Sequence, residues 1–164
     1  MDNARHVGIG LPSCGAMELR PYEYRDPGQL LAEVMAADVL SEHDLVVVLV
    51  CEPSVDQKIV RTVRFTETPP PHVDHWERSQ FLRQIVEQLQ VPACKLGEPP
   101  SHSVMTITAR RGWPEFGPSE FSWLAGWRYS NHLAPVFVGD LLLITEHGWA
   151  DFMSGRAGRL PALA

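Results

Sequence analysis

The run Leu45-Val-Val-Val-Leu-Val-Cys51 is apolar throughout and mostly β-branched. Charged residues precede it and Pro53 follows it closely, so the run has the length of a strand rather than that of a buried helix. A strand with one exposed face would alternate apolar and polar residues, whereas this run is apolar at every position. We therefore predict a strand that is covered on both faces, inside a layered domain.

The residues on either side of this run predict a helix and a second strand. Asp26 can cap a helix, with Pro27 at its first position and Gln29 closing a capping box. Apolar residues then recur at helical spacing, at Leu30, Leu31, Val34, Met35 and Val39. After the run, residues 52–57 indicate a turn, and partial alternation over 59–65 indicates a strand that forms a hairpin with the first.

The second half of the chain continues the alternation of helices and strands. Three consecutive prolines end the second strand, and helical spacing returns between Asp74 and Leu89. The remaining predicted elements are a strand at 104–108, a helix from Ser119 to about Ser130, a strand at 136–145 interrupted near Gly139-Asp140, and a short strand at 149–152. This order predicts an α/β (α+β) domain in which a mixed sheet is flanked by about three helices.

The length and composition fit one globular domain. We expect an irregular N-terminal extension at 1–24, the domain at 25–153 and a loose C-terminal tail at 154–164. A net charge of −6 argues against a dedicated nucleic-acid binder, and no apolar run is long enough to span a membrane. Three widely spaced cysteines without a Cys-x-x-Cys pair, and no secretory signal, predict reduced thiols in a cytoplasmic protein.

The segment from Ala109 to Ser122 links a predicted strand to a predicted helix and contains Arg111-Gly112 and Pro118-Ser119. It resembles the metal-binding segment of the JAB/MPN (JAMM) metallo-isopeptidase superfamily, RadC branch. That family has His-x-His-Pro-x-Gly, a loop, and Pro-Ser-x-x-Asp at the start of a helix. When the two are aligned on Pro118-Ser119, Ala109 and Arg111 replace the two histidines and Ser122 replaces the aspartate.

Two further features extend the resemblance over residues 26–153. Glu42 lies just before the first strand, where the family has its catalytic glutamate, although a plain surface carboxylate is the alternative interpretation. Gly139-Asp140-Leu-Leu-Leu-Ile144 and the following Gly148-Trp149 are similar to the family's closing strand and turn. The resemblance implies a JAB/RadC-like fold in which zinc, held by two histidines and an aspartate, would activate water.

The replaced ligands imply a metal-free, non-catalytic member of this superfamily that needs no cofactor. Ala109 has no donor atom, Arg111 is positively charged, and Ser122 is a poor ligand. Such members serve as scaffolds or protein-binding modules. We therefore predict an unidentified protein partner, with a homodimer left open. The predicted binding residues surround the former metal loop: Arg110, Arg111, Trp113, Glu115, Phe116, Ser119 and Ser122.

Two other functions remain as alternatives. The chain has seven histidines, and His72 and His75 lie close together beside Asp74, so a zinc site there is one alternative. In that interpretation Glu42 and some of the histidines, which also include His102, His132 and His147, form a relocated centre of a metal-dependent, isopeptidase-like hydrolase. The second alternative is a DNA-repair-associated accessory role, which rests on the association of the RadC branch with repair. Trp123 and Trp127 share one helix face and are predicted core residues.

Overall fold

The computed structural model of the protein describes residues 19–66, 74–94, 96–130 and 136–164, and over these ranges the chain forms three helices and six strands. In chain order these are α1 (Pro27–Ala37), β1 (Leu45–Cys51), β2 (Lys58–Phe65), α2 (His75–Leu89), β3 (His102–Ala109), α3 (Pro118–Ser130), β4 (Phe137–Thr145), β5 (Gly148–Asp151) and β6 (Ala157–Gly158). No helix in these ranges is long and apolar enough to cross a membrane.

The strands form one mixed sheet in the order β2-β1-β3-β4-β5-β6. Each neighbouring pair is antiparallel except β3 and β4, which are parallel and are connected through α3. A parallel connection needs a crossover, and the helix supplies it. The mixed sheet with three helices confirms the predicted α+β class, and the start of β1 and the ends of β3 and β4 lie at the same edge of the sheet.

Both faces of β1 are buried, as its sequence predicts. On one face, Val46, Val48 and Val50 pack in a core with α1. On the other face, Val47 and its neighbours pack in a core with α2 and α3. The second core includes the two tryptophans that the sequence predicts as buried, at 123 and 127. Burial of Trp127 is compatible with its polar N–H because Nε1 donates to Thr106 Oγ1 at 2.8 Å.

Only one of the two hydrogen bonds of the predicted capping box forms at the start of α1. The Asp26 carboxylate accepts from the Gln29 amide at 2.9 Å, but the Gln29 side chain donates to Glu33 and does not reach back. Gln57, from the turn between β1 and β2, replaces it. Its Oε1 accepts from the Asp26 amide at 2.6 Å and its Nε2 donates to the Asp26 carbonyl at 2.9 Å. The hairpin therefore positions the start of α1.

The predicted interruption of β4 is a bulge within a continuous strand. Val104 pairs with Val138 and Thr106 pairs with Leu141, so β4 has one residue more than β3 between the two pairs. Asp140 lies in this bulge, and its side chain is buried. The bulge thus brings a carboxyl group into the interior beside β5.

The expectation of a loose tail at 154–164 is wrong, because this segment packs on Trp149. β6 pairs with β5, and a Cβ added to Gly158 would lie 2.6 Å from Trp149 Nε1. The same Nε1 donates to the Leu160 carbonyl at 2.9 Å, and Leu163 packs against the α1 core. A large ring with a polar N–H needs both a cover and an acceptor, and this segment provides both. Tyr24 is also fully buried, so the packed domain begins before residue 25.

Candidate functional site

Three connections meet at the sheet edge where β1 begins and β3 and β4 end. They are the α1–β1 connection, the β3–α3 loop and the β4–β5 turn. Backbone hydrogen bonds join them: the His43 amide donates to the Ala109 carbonyl at 2.8 Å, and the Arg110 amide donates to the Ile144 carbonyl at 3.1 Å. Between the connections lies a cavity of about 290 Å³, lined in part by Leu40, Glu42, Arg111, Glu146 and Leu163. We refer to it as the edge cavity.

Glu42 and Arg111, which both line the edge cavity, form an ion pair. Arg111 Nε lies 3.3 Å from Glu42 Oε2, and His43 Nε2 lies 3.9 Å from Glu42 Oε1. Arg111, for which the resemblance to the JAB family predicts a lost metal-ligand position, is therefore an ion-pair partner of the predicted catalytic glutamate. The Arg111 side chain is 67% exposed, so water screens this pair.

Arg110 supports the β3–α3 loop from within. Its Nε lies 3.2 Å from Glu120 Oε1, and its Nη1 donates to the carbonyls of Arg111 and Trp113 at 3.1 and 3.3 Å. Its Nη2 donates to the carbonyl of Glu115. Glu120 is buried, so one charge-assisted pair organises the backbone of the whole loop. Arg110 is thus a positioning residue for the loop rather than part of its exposed surface.

Trp113 is the exposed aromatic residue of this loop. Its ring is stacked on that of His147, with centroids 4.6 Å apart and planes inclined by 26°. The adjacent Gly112 donates its amide to Glu146 Oε2 at 3.0 Å, and its φ of 101° suits glycine. Trp113 and Gly112 therefore join the loop to the β4–β5 turn at two points.

The pKa of the Glu146 carboxyl is lowered from its usual value by the groups around it. Donation from its own backbone amide is the main influence that lowers the pKa of the Glu146 carboxyl, and the Gly112 amide, His147 and Arg111 act in the same direction. The sequence singles out His147 only as one of the histidines of the alternative zinc centre, and it does not single out Glu146 as a site residue. Their place beside the edge cavity depends on the parallel pairing of β3 and β4, which no local pattern indicates.

The remaining predicted binding residues do not line the edge cavity. Glu115 is exposed on the loop, and Ser119 is exposed in the first turn of α3. Ser122 Oγ donates to the Ser119 carbonyl at 2.6 Å, within the helix. Phe116 is partly buried against the α2–α3 core, with its ring 5.3 Å from that of Phe152. From the predicted set, the structure thus pairs Glu42 with Arg111 at the edge cavity, and it holds Trp113 on the same loop through Arg110 and His147.

The histidines of the zinc alternative are not brought together where the structure describes them. His72 and His132 lie outside the described residues, and His75 begins α2. His102 begins β3, whereas His147 lies beyond the opposite end of that strand. Eight residues of β3 separate the two ends by roughly 23 Å at about 3.3 Å per residue. In the described ranges no three His, Cys, Asp or Glu side chains form a group that could hold a metal ion.

A second polar cluster, which the sequence did not indicate, is buried between β4 and β5. The Met153 amide donates to Asp140 Oδ1 at 3.0 Å and to Asp151 Oδ1 at 3.1 Å, so two buried carboxyl groups converge on one N–H. Burial is the main cause that raises the pKa of Asp140 to about 8, and the hydrogen bond and charge of Asp151 add to it. Arg156 Nη2 lies 3.7 Å from Asp151 Oδ2.

No protein-family model, curated protein or solved structure matches the chain. The resemblance to the JAB superfamily therefore stays a prediction that rests on the residues quoted for it.

Proposed function

We propose that this domain is a non-catalytic protein-binding module whose contact surface is centred on Trp113. The observation that supports the proposal is a large aromatic side chain, 69% exposed, on a loop held in one conformation. Tryptophan is enriched among the residues that dominate binding energy. Because the loop is already ordered, a partner would lose little conformational entropy in fixing it.

The surroundings of Trp113 supply the order that such a contact residue needs. The Arg110 guanidinium donates a hydrogen bond to the Trp113 carbonyl at 3.3 Å. The His147 ring stacks on the indole, and the Glu146 carboxylate accepts from the neighbouring Gly112 amide. Three separate contacts therefore fix the backbone and the ring of one exposed residue.

The position of Glu42 supports a binding role over a catalytic one. A general base must reach the proton that it removes, and it acts on a water or nucleophile made reactive by its surroundings. Here the carboxylate pairs with the Arg111 guanidinium at 3.3 Å, and the His43 ring lies 3.9 Å from its other oxygen. This arrangement is that of a surface ion pair, consistent with a JAB-like frame that serves as a scaffold.

The proposal is tested with Trp113→Ala and a matched control, Trp76→Ala. Both indoles are 69% exposed, but Trp76 lies in the first turn of α2. The three immobilised proteins are used to recover partners from a lysate of the source cells, and Kd is then measured for any partner bound by the wild type. We expect Trp113→Ala to weaken binding at least about tenfold and Trp76→Ala to change it less than about twofold.

Two outcomes would contradict the proposed function. The first is a wild-type protein that recovers nothing above a blank matrix. The second is a partner that Trp113→Ala binds as tightly as the wild type does. Melting temperatures of both variants equal to that of the wild type would show that neither substitution acts by unfolding the domain.

A further inference from the structure

We infer that the edge cavity is a subsite for a cationic side chain, an arginine or a lysine, carried by a basic segment of the protein partner. The inference rests on the proposed binding function and names the chemistry of the partner. Its basis is the combination of two carboxylates and an apolar wall around one small cavity, with a stacked aromatic pair next to one of the carboxylates.

The charge of the edge cavity favours a cation. Two carboxylates, those of Glu42 and Glu146, line it together with one guanidinium, that of Arg111. The cavity therefore has an excess of negative charge, within a chain whose net charge is −6. An uncompensated negative charge in a concave site concentrates the field and attracts positively charged groups.

Both carboxylates retain the capacity to accept further hydrogen bonds. An ionised carboxylate has about four acceptor positions. Glu42 uses one oxygen for Arg111, and its other oxygen faces His43 at 3.9 Å. Glu146 is oriented by the Gly112 amide, and its side chain is partly exposed. A second cation could therefore bind between them without displacing a buried contact.

In the absence of a partner, Arg111 itself takes the place beside Glu42 that the partner's cation would take. Its side chain is largely exposed, and exposed ion pairs of this kind contribute little to stability. It can therefore move aside when a partner's guanidinium or ammonium group reaches Glu42. Arg111 then competes with the ligand, and its removal should strengthen the binding of a cation.

The walls of the edge cavity suit the remainder of a long cationic side chain. Val39, Leu40 and Leu163 provide apolar surface for the methylene groups, which arginine and lysine bury while the charged end stays polar. The stacked rings of Trp113 and His147 stand beside Glu146, where an aromatic face can attract a cation. A volume of about 290 Å³ is slightly smaller than the roughly 300–1,000 Å³ of small-molecule pockets, which fits one side chain.

The test uses three acetylated and amidated pentapeptides, Gly-Gly-X-Gly-Gly, in which X is arginine, citrulline or glutamate. Citrulline has nearly the shape of arginine without its charge, and glutamate tests whether Arg111 instead binds an anion. Binding is followed by the NMR shifts of the Gly112 and Glu146 amides and of the Trp113 indole. We expect the arginine peptide to bind in a salt-sensitive manner, and the other two to bind at least about fivefold more weakly.

Three variants test whether Glu42 attracts the arginine peptide and whether Arg111 competes with it. Glu42→Gln should weaken binding of the arginine peptide at least about fivefold, whereas Glu87→Gln, which removes an exposed carboxylate on α2, should leave it unchanged. Arg111→Met should strengthen binding several-fold. The inference is overturned if Arg111→Met weakens binding, if the glutamate peptide is preferred, or if no peptide shifts these resonances.

This experiment is independent of the partner. If the peptides fail while Trp113→Ala still abolishes partner binding, only the cationic subsite is wrong. If the arginine peptide binds as expected while the partner is unaffected by Trp113→Ala, the proposed function is wrong.

Discussion

Val47→Asp is expected to abolish folding. Val47 is fully buried in β1 and packs in the core formed with α2 and α3. The substitution removes the burial of a valine, about 1.5–3 kcal/mol, and places a carboxyl group where its packing neighbours are hydrophobic side chains. Burying an unpaired polar group adds several kcal/mol, and the total is comparable with the roughly 5–15 kcal/mol by which domains are stable. The measurement is soluble yield followed by a circular-dichroism melt.

The matched control for this prediction is Val60→Asp. Val60 lies on β2, which is the outermost strand on one side of the sheet. It is 50% exposed and lies where the register with β1 shifts. A change at an exposed position costs about 0.5 kcal/mol or less. We expect Val60→Asp to melt cooperatively near the wild-type temperature. A cooperative native melt of Val47→Asp would show that β1 does not lie between two cores.

The helices and strands were predictable because their signals are local. The apolar run of β1 contains its own evidence of two-sided burial. Asp74 precedes a helical stripe, and its carboxylate accepts from the Glu77 amide at 2.9 Å, as a cap should. Such features depend on neighbours a few residues away. The sequence therefore indicates them directly.

The parts that the sequence did not predict depend on distant partners. Gln57 closes the cap of α1 from the next hairpin, although Gln29 stands at the expected position. The segment after residue 153 has no apolar period of its own, and it is ordered because it covers Trp149. Neither the contact of Gln57 with Asp26 nor that of the C-terminal segment with Trp149 can be inferred from the spacing of residues along the chain. Both follow only once the sheet order is known.

The candidate site shows the same division. A cluster of arginines beside a tryptophan predicted a contact surface, but the charge of Arg110 is directed at Glu120, which lies ten residues further along the chain. The pairing of Glu42 with Arg111 follows from the antiparallel alignment of β1 with β3. Glu146 joins them through the parallel pairing of β3 with β4. Residue types could be predicted from the sequence, whereas their roles depended on the topology.

The stability of the domain is expected to fall as the pH rises from about 5.5 to 8, through the buried Asp140–Asp151 pair. The pKa of Asp140 is raised to about 8 in the folded protein, against about 3.9 for an aspartate in an unfolded chain. Between these values the folded state binds more protons than the unfolded state does. Stability must therefore decrease with increasing pH in this window and level off above the folded pKa.

The groups around Asp140 explain why its proton is retained. Asp151 contributes a second carboxyl group. Tyr24 is fully buried and donates to Ser103, and it has no positive charge that would stabilise an ionised Asp140. Arg156 is the nearby cation, but it lies against Asp151 and also donates to the Tyr24 carbonyl. Burial disfavours the ionised carboxyl, and two negative charges in this interior would also repel each other, so the pair keeps one proton at neutral pH.

Asp140→Asn should remove this pH dependence. An asparagine keeps the oxygen that accepts from the Leu141 and Met153 amides, and its NH₂ can donate to Asp151 as the protonated carboxyl does. The difference in unfolding free energy between the variant and the wild type should grow toward pH 8, by up to roughly 1.4 kcal/mol per pH unit. Urea unfolding at several pH values between 5.5 and 8.5 measures it. Asp56→Asn, at an exposed position, should keep the wild-type slope. Parallel curves for the wild type and Asp140→Asn would refute a shared proton in this pair.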